Sequence, residues 1–300
     1  MISILIPVFN RNVVALVTSL HNQLSTVKEA AEIVVMDDAS TDKQLKNTNQ
    51  IISGLNNVQY IELSANAGRN TIRNKLAAAA NYETLIFLDA DSSFPDESWL
   101  QRYIEAVSGD AIIMGGRLYN ATAAGASTLH FHYGKLREQT KAFTRNKHPY
   151  RSFLACNFLI AKQQFSRLIT DNHLHGYCHE DTFMGLQFEK LGLTVKHIDN
   201  PVYHEGIDDD DVFIQKQQEA LENLYYLYTT YNAVYNFNTA IKLVRIYRKI
   251  KSFPAGRYML DKMADREPYF RKNALLSHHL FWLDCWKLAA LRRLSFTKPG

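Results

Sequence analysis

Two aspartates one residue apart, Asp89 and Asp91, follow the apolar run Leu85-Ile86-Phe87-Leu88 and lead into a turn. Carboxylates so arranged can hold a hard divalent cation while leaving coordination positions open for phosphate oxygens. The plainer alternative is that they cap the next helix. Asp37 and Asp38 form a second pair. Adjacent carboxylates repel when buried, so they need donors nearby. A uracil imide N–H or ribose hydroxyls would serve; so would an Asx-turn with Ser40 and Thr41. In Asn66-Ala67-Gly68-Arg69-Asn70-Thr71-Ile72-Arg73-Asn74, a glycine turn opens a helix. Arg69 and Arg73 then lie four apart on one face. They would meet a diphosphate at that edge, or else remain solvated.

The elements that must position these groups are legible in the apolar pattern. Residues 2–6, 32–37, 58–63 and 84–89 read as buried strands, and residues 12–24, 43–52 and 69–80 between them carry helical spacing. This alternation predicts a doubly wound, mostly parallel α/β sheet. Ligands bind such sheets beyond the carboxyl ends of the strands. Pro7-Val8-Phe9-Asn10, Asp37-Asp38 and Asp89-Ala90-Asp91 all fall there.

Further along, residues 96–107 read as a helix, 111–118 as a strand, and 119–151 as loops with one helix at 128–137. Helices are expected at 161–169 and 182–191, and short extended segments at 194–198 and 201–204. Asp208-Asp209-Asp210-Asp211 places negative charge at the start of a helix over 212–231, favourable for the helix dipole. The remainder is helical with a break at 252–256. The expected organisation is a catalytic domain over 1–207 and a helical extension over 208–300, basic from about residue 241.

Of the 300 residues, 46% are hydrophobic and 21% charged, in keeping with a buried core. Cys156, Cys178 and Cys285 lie far apart, which argues against a disulfide framework and suits a reducing compartment. There is no signal-peptide pattern and no spanning apolar stretch, so the expectation is a cytoplasmic protein, peripheral at most on the inner face of the membrane. The net charge of +4 is divided unevenly. Residues 241–300 hold 14 Lys and Arg against 4 Asp and Glu, leaving 20 against 26 for residues 1–240. A basic tail on an acidic body suggests two roles.

The ordered set Ile4-Leu5-Ile6-Pro7-Val8-Phe9-Asn10, Asp37-Asp38-Ala39-Ser40-Thr41-Asp42, Asn66-Ala67-Gly68 with Arg73-Asn74, and Asp89-Ala90-Asp91 resembles the motifs of glycosyltransferase family 2. The resemblance covers roughly residues 1–205, and its specificity lies in order and spacing, since each motif alone is weak. It implies a GT-A fold, inversion at the anomeric carbon, a nucleotide-diphosphate sugar (UDP favoured) and Mn²⁺ or Mg²⁺. By position it puts Pro7 beside the base, with Asn10 in the same nucleotide-sugar site. Asp38 would be on the uracil, Arg73 at the nucleotide, Asp89 near the ribose and Asp91 on the metal.

An inverting transfer passes through an oxocarbenium-like centre and needs a base for the acceptor hydroxyl. His179-Glu180-Asp181 resembles the family's Glu-Asp motif, which makes Asp181 the base. Glu180 would orient the acceptor or cap the helix. His204 matches a position where members place a histidine near the metal and diphosphate. Asn157, in Ala155-Cys156-Asn157-Phe158, resembles the acceptor-side asparagine segment, though the preceding glycine is absent. The acceptor would be a saccharide or glycolipid.

His173, His175, Cys178 and His179 could offer zinc ligands, but their spacing fits no known module; the preferred reading is that the histidines shape the acceptor pocket. Leu276, Leu280, Leu283, Trp286, Ala290 and Leu294 run at helical spacing beside Trp282, Arg292 and Arg293. That pattern suits an anionic membrane surface, or a helix packed back on the domain. A sugar-nucleotide nucleotidyltransferase would want a glycine-rich loop after the first strand, and Pro7-Val8-Phe9-Asn10-Arg11-Asn12 has no glycine. A non-catalytic protein keeping the fold would be expected to lose Asp91 or Asp181. Nucleic acid is not expected as a partner, because no binding motif accompanies the basic tail.

Overall fold

A computed structural model describes residues 1–297 except 108, 110, 122–124, 172, 175, 177 and 178. The first half alternates β1 (Ile2–Val8), α1 (Val14–Leu24), β2 (Ala31–Asp37), α2 (Lys43–Asn49), β3 (Val58–Glu62), α3 (Arg69–Ala79) and β4 (Thr84–Leu88). There follow β5 (Ser92–Ser93), α4 (Trp99–Ala106), β6 (Ile112–Met114), β7 (Arg117–Leu118), α5 (Leu129–Tyr133), α6 (Ala142–Arg145) and β8 (Asn157–Ala161). Then come α7 (Lys162–Phe165), α8 (Glu180–Lys190), β9 (Val195–His197) and β10 (Val202–His204).

Seven strands form one sheet in the order β3-β2-β1-β4-β8-β6-β9. All its pairings are parallel except those of β8, which runs antiparallel to β4 and β6. The central strands read as unbroken apolar runs because both faces are covered. Ile4, Ile6, Ile33, Val35, Ile86 and Leu88 pack toward α1 and α4, while Leu5, Val34, Met36, Leu85 and Phe87 pack toward α3 and α8. The register Pro7 to Met36 and Val8 to Asp37 aligns the carboxyl ends of β1 and β2, bringing the motif loops to one edge.

Two expectations fail at strand boundaries. Residues 111–118 are not one strand: Gly115 and Gly116 divide them, Gly116 at φ 107° and Gly115 where a Cβ would run into the Asn200 carbonyl and the Asn157 amide. The helix expected at 161–169 is only the single turn α7, because the apolar run before it is β8, filling the gap between β4 and β6. A second, three-stranded sheet, β5-β10-β7, was not expected; its strands are too short to show a period.

The remaining chain is helical: α9 (Asp210–Tyr231), α10 (Phe237–Ala240), α11 (Lys242–Lys251), α12 (Pro254–Asp265), α13 (Glu267–Ser277) and α14 (Leu280–Thr297). From Leu280 onward the stripe offered to a membrane is a packing face, while Leu276 is exposed. Leu280, Leu283, Trp286 and Ala290 are buried with Phe213, Ile214 and Leu221 of α9 and Ala274 of α13, and the Trp286 indole donates to Glu267. Arg292 donates to Asp261 at 2.7 Å and Arg293 to Glu267 at 3.1 Å. The indole and the arginines are thus engaged within the bundle, as the packing alternative expects. Among the described residues, no helix is long and apolar enough to cross a membrane.

Candidate active site

At the carboxyl edge of the sheet, the loops after β1 and β2 are tied together by Asn10. Its side-chain oxygen accepts from the Thr41 and Asp42 N–H groups at 2.8 and 3.1 Å, and its own N–H donates to Ser40 Oγ. Asn10 takes φ 49°, a conformation asparagine tolerates better than most residues. Asp37 is wholly buried as the Asx-turn alternative requires, accepting from Ser40 N–H at 2.6 Å and from the Tyr60 hydroxyl at 2.9 Å. Asp38 accepts from Ala67 and Gly68 N–H groups at 2.6 and 2.9 Å, one on each carboxylate oxygen. Its visible task is thus to hold the glycine turn that opens α3. Pro7 is the half-buried residue next to the end of β1.

The second sheet supplies the next part. Antiparallel pairing sets His204 opposite Ser92, so the chain carrying Asp91 runs beside β10. Asp91 Oδ1 lies 3.3 Å from His204 Nδ1. Gly206 completes the approach, for a Cβ there would collide with Asp91 Oδ2. Burial by itself would raise the Asp91 pKa, but His204, Arg117 and Arg11 outweigh it and hold the carboxyl well below its usual range.

An alternating chain of charges lines the cavity above. Glu138 accepts from Arg117 at 3.2 Å, Arg117 reaches Asp89 at 3.2 Å, Asp89 is 3.3 Å from Arg73, and Arg73 and Arg69 each lie 3.7 Å from Glu180. Burial works against ionisation of Glu138, yet Arg117 and the Tyr119 hydroxyl bring its pKa below the usual value. Tyr119 fits because residue 134 is glycine; a Cβ there would enter its ring. His130 stacks on Phe213 at 4.8 Å and lies 5.4 Å from the His204 ring, while accepting from the Asp208 N–H at 2.9 Å. Lys216 pairs with the Asp208 carboxylate at 2.7 Å.

His179 takes φ 71° and turns the chain so that α8 begins with Glu180 and Asp181, both lining the cavity. Their environments separate them. Burial would raise Glu180, but Arg69 and Arg73 hold it low. Burial and the fixed charge of Glu180 push Asp181 up to about 7, the poise of a general base near neutrality.

The cavity therefore joins Arg69, Arg73, Asp89, Asp91, Glu180, Asp181 and His204, and its enclosed part measures about 90 Å³. Asn157, expected on the acceptor side, is absent from it. Asn157 is wholly buried at the start of β8, donating to the Gly116 and Asn200 carbonyls and accepting from Tyr103, so it braces the turn before β7. Its hydrogen-bonding capacity is spent inside the core. A larger cavity of about 790 Å³ opens at the amino ends of β6 and β9 and contains none of the motif residues.

Of the four residues weighed for zinc, His175 and Cys178 lie outside the described residues; His173 is exposed and 3.1 Å from Asp171. Among the described residues no group of three or more His, Cys, Asp or Glu is gathered to hold a metal. Sequence reasoning missed Arg117, Tyr119, His130, Glu138, Asp208 and Lys216. Arg117 alone left a trace, an arginine at a strand end after two glycines.

A family model, "Glycosyl transferase family 2", matches residues 3–166. Over 133 residues the chain is 34% identical to a poly(ribitol-phosphate) beta-glucosyltransferase of Bacillus spizizenii, a match covering 43% of this chain and 21% of that protein. The match thus spans about a fifth of the curated relative's length. Among solved structures the chain is similar to mannosyltransferase PcManGT from Pyrobaculum calidifontis, in complex with GDP-Man and Mn²⁺. The TM-score there is 0.59 at 12% identity, over 99% of this chain and 86% of that one. It is also similar to S. aureus TarS 1–349, with a TM-score of 0.49 at 16% identity over 100% and 92% of the two chains. The fold is that of the GT-A glycosyltransferases.

Proposed function

We propose a specific reaction for this chain, which belongs to glycosyl transferase family 2 and is a glycosyltransferase: inverting transfer of a sugar from a nucleoside-diphosphate donor, UDP-linked by motif resemblance, onto the hydroxyl of a saccharide or glycolipid. The observation that carries this reading is that two unlike groups line one cavity. Asp91 Oδ1 and His204 Nδ1 are buried there without hydrogen-bond partners, and Asp181 in the same lining has a raised pKa.

Buried polar atoms are rarely left unsatisfied, so the Asp91–His204 pair fits a cation that both would ligate. Two protein ligands leave most of the coordination sphere to phosphate oxygens and water, the pattern of Mn²⁺ and Mg²⁺ at nucleotide sites. When bound, such a cation neutralises the charge that develops on the leaving diphosphate. Arg73 adds to that stabilisation: its Nη1 is buried, makes no hydrogen bond, and lies 3.7 Å from Glu180 in the same cavity. The chain's own work at the acceptor falls to Asp181, which takes the hydroxyl proton as the oxygen attacks the anomeric carbon. Glu180 stays ionised beside Arg69 and Arg73 and keeps the Asp181 pKa high. Asp38 positions the 66–68 turn; each of its oxygens retains a lone pair for a base or ribose donor.

The printed names of the relatives, a glucosyltransferase and a mannosyltransferase with GDP-Man and Mn²⁺, support a nucleotide-sugar donor and a divalent ion without choosing the base. The test is a screen of UDP- and GDP-sugars for nucleoside-diphosphate release with Mn²⁺, Mg²⁺ or chelator, with product anomers read by NMR. Release independent of any divalent ion, or retention of configuration, would overturn the reading.

A further inference from the structure

On its far side Asp181 opens into a second cavity, of about 370 Å³, within the range of small-ligand sites. One wall is catalytic-domain chain, including Arg137, Arg151 and Thr182; the other belongs to the helical extension, with Leu221 and Leu224 of α9, Lys242 of α11 and Lys287 and Leu288 of α14. The cavity holds more cations than carboxylates can neutralise. Arg137 is claimed by Asp284 at 2.7 Å, and Glu138 is claimed by Arg117 and Tyr119. That leaves Arg151 and Lys242 around the single carboxylate of Asp181, with Lys287 on the same wall. Arg151 and Lys242 are exposed and have no ion-pair partner among the described residues. Lys287 sits over the Tyr133 ring at 4.7 Å. Its charge reaches the catalytic segment as well: burial, then Lys287, lowers His179 to about 4.

We propose that this cavity is the acceptor subsite and that the acceptor carries a phosphate or carboxylate beside its reacting hydroxyl, held by Arg151, Lys242 and Lys287. The inference rests on the transferase reading and deepens it. Entry from this side puts the acceptor oxygen next to Asp181 while the donor occupies the Asp91–His204 side, so attack comes from the face opposite the diphosphate. Leu221, Leu224 and Leu288 supply an apolar surface for the carbon skeleton of a sugar or polyol. The cationic bias of the tail then has a catalytic use: α11 presents Lys242 to the cavity and carries Arg245, Arg248 and Lys249 exposed along the same helix.

The experiment compares glucose 6-phosphate and glycerol 3-phosphate with glucose and glycerol as acceptors. A detergent-dispersed lipid-linked saccharide diphosphate forms a separate arm, with UDP-glucose and GDP-mannose as donors and Mn²⁺ present. Nucleoside-diphosphate release and product formation are both read. The expected result is a kcat/KM preference of at least roughly tenfold for phosphorylated acceptors. That preference should fall roughly 3- to 10-fold in Arg151→Gln/Lys242→Gln, mainly through KM, since attraction between a ligand and partly solvated charges contributes modestly. Both substitutions are at exposed positions, and a cooperative melt at the parent temperature checks the fold. Preference for the soluble phosphates or for the lipid-linked diphosphate identifies the source of the acidic group; either supports the inference. Equal transfer onto neutral and phosphorylated acceptors, by parent and variant alike, overturns it while leaving the transferase intact. Absence of release with every donor, in the presence of every acceptor and of water alone, overturns the transferase reading too.

Discussion

Asp91 Oδ1 and His204 Nδ1 lie 3.3 Å apart, both buried, and no hydrogen bond satisfies either atom. An ion pair alone would be a poor reason to bury two such groups, because desolvation offsets much of the attraction. Shared ligation of a cation is the economical explanation. Asp91→Asn and His204→Ala should each weaken Mn²⁺-dependent donor binding at least roughly tenfold, a loss of about 1.4 kcal/mol or more, with a cooperative melt retained. Calorimetry with and without chelator reads this directly. Parent-like metal dependence in both variants would remove the assignment.

Gly206 offers a finer probe of the same pair, since the residue contributes no ligand. A Cβ at this position presses on Asp91 Oδ2 rather than on backbone, so Gly206→Ala should displace the carboxylate without unfolding the chain. The expected result is a several-fold rise in the Mn²⁺ concentration needed for half-maximal activity, while the melt shifts little. If the Mn²⁺ requirement stays put, Asp91 is not the ligand or can swing freely.

Arg117 should matter to stability as much as to activity. It bridges Glu138 and Asp89, at 3.2 Å from each, while Asp89 is also held by Arg73 at 3.3 Å. Arg117→Met leaves two carboxylates facing each other across a buried gap, and breaking such a pair typically costs about 3–5 kcal/mol. Glu138→Gln in the same chain should recover part of that loss, because it removes one uncompensated charge. A chemical-denaturation cycle over the two sites measures the coupling, and strictly additive losses would show that the contacts are independent.

The sheet edge was legible because its strands are covered on both faces and therefore stand out as apolar runs ended by acidic turns. Asp37, Asp38, Asp89 and Asp91 could be placed on one edge because strand order brings distant turns together, whereas Glu180, Asp181 and His204 were assigned by motif resemblance. What could not be read was structure made by very short pieces. The two-residue strands β5 and β7 carry no period, so the adjacency of Asp91 and His204 came from motif position and not from pattern. Glu138 ends a π-helical turn over Gly134–Glu138 and Tyr119 follows a two-residue strand; nothing local marks either as buried. Asn157 was assigned to the acceptor side by motif resemblance alone, yet its amide donates to the Gly116 and Asn200 carbonyls inside the core. The tail's amphipathic stripe fitted a membrane and a bundle equally, and only its neighbours could decide.

The pH dependence of the reaction follows from Glu180 and Asp181. The Asp181 pKa is pushed up to about 7 by burial and by Glu180, which Arg69 and Arg73 keep ionised. A base must be deprotonated to act, so kcat should rise as pH increases through about 7 and level off above it. In Asp181→Asn, turnover should fall roughly 10²- to 10⁴-fold and the rising limb should vanish. Glu180→Gln removes the charge that raises its neighbour, so the limb should move to lower pH, with a smaller loss of turnover. Stability carries the matching signature with its own sign. Between the unfolded value of 3.8 and about 7, the native state keeps a proton on Asp181 that the unfolded chain has released. The native state then binds more protons, so stability falls as pH rises across that window. Asp181→Asn should melt increasingly above the parent as pH goes from about 4 to 7, and the gap should stop growing beyond. The two effects share one cause, and melts and rates can be recorded on the same samples. A parent profile flat in kcat from pH 5 to 8, with a constant melting difference for Asp181→Asn, would place the titrating base elsewhere in the cavity.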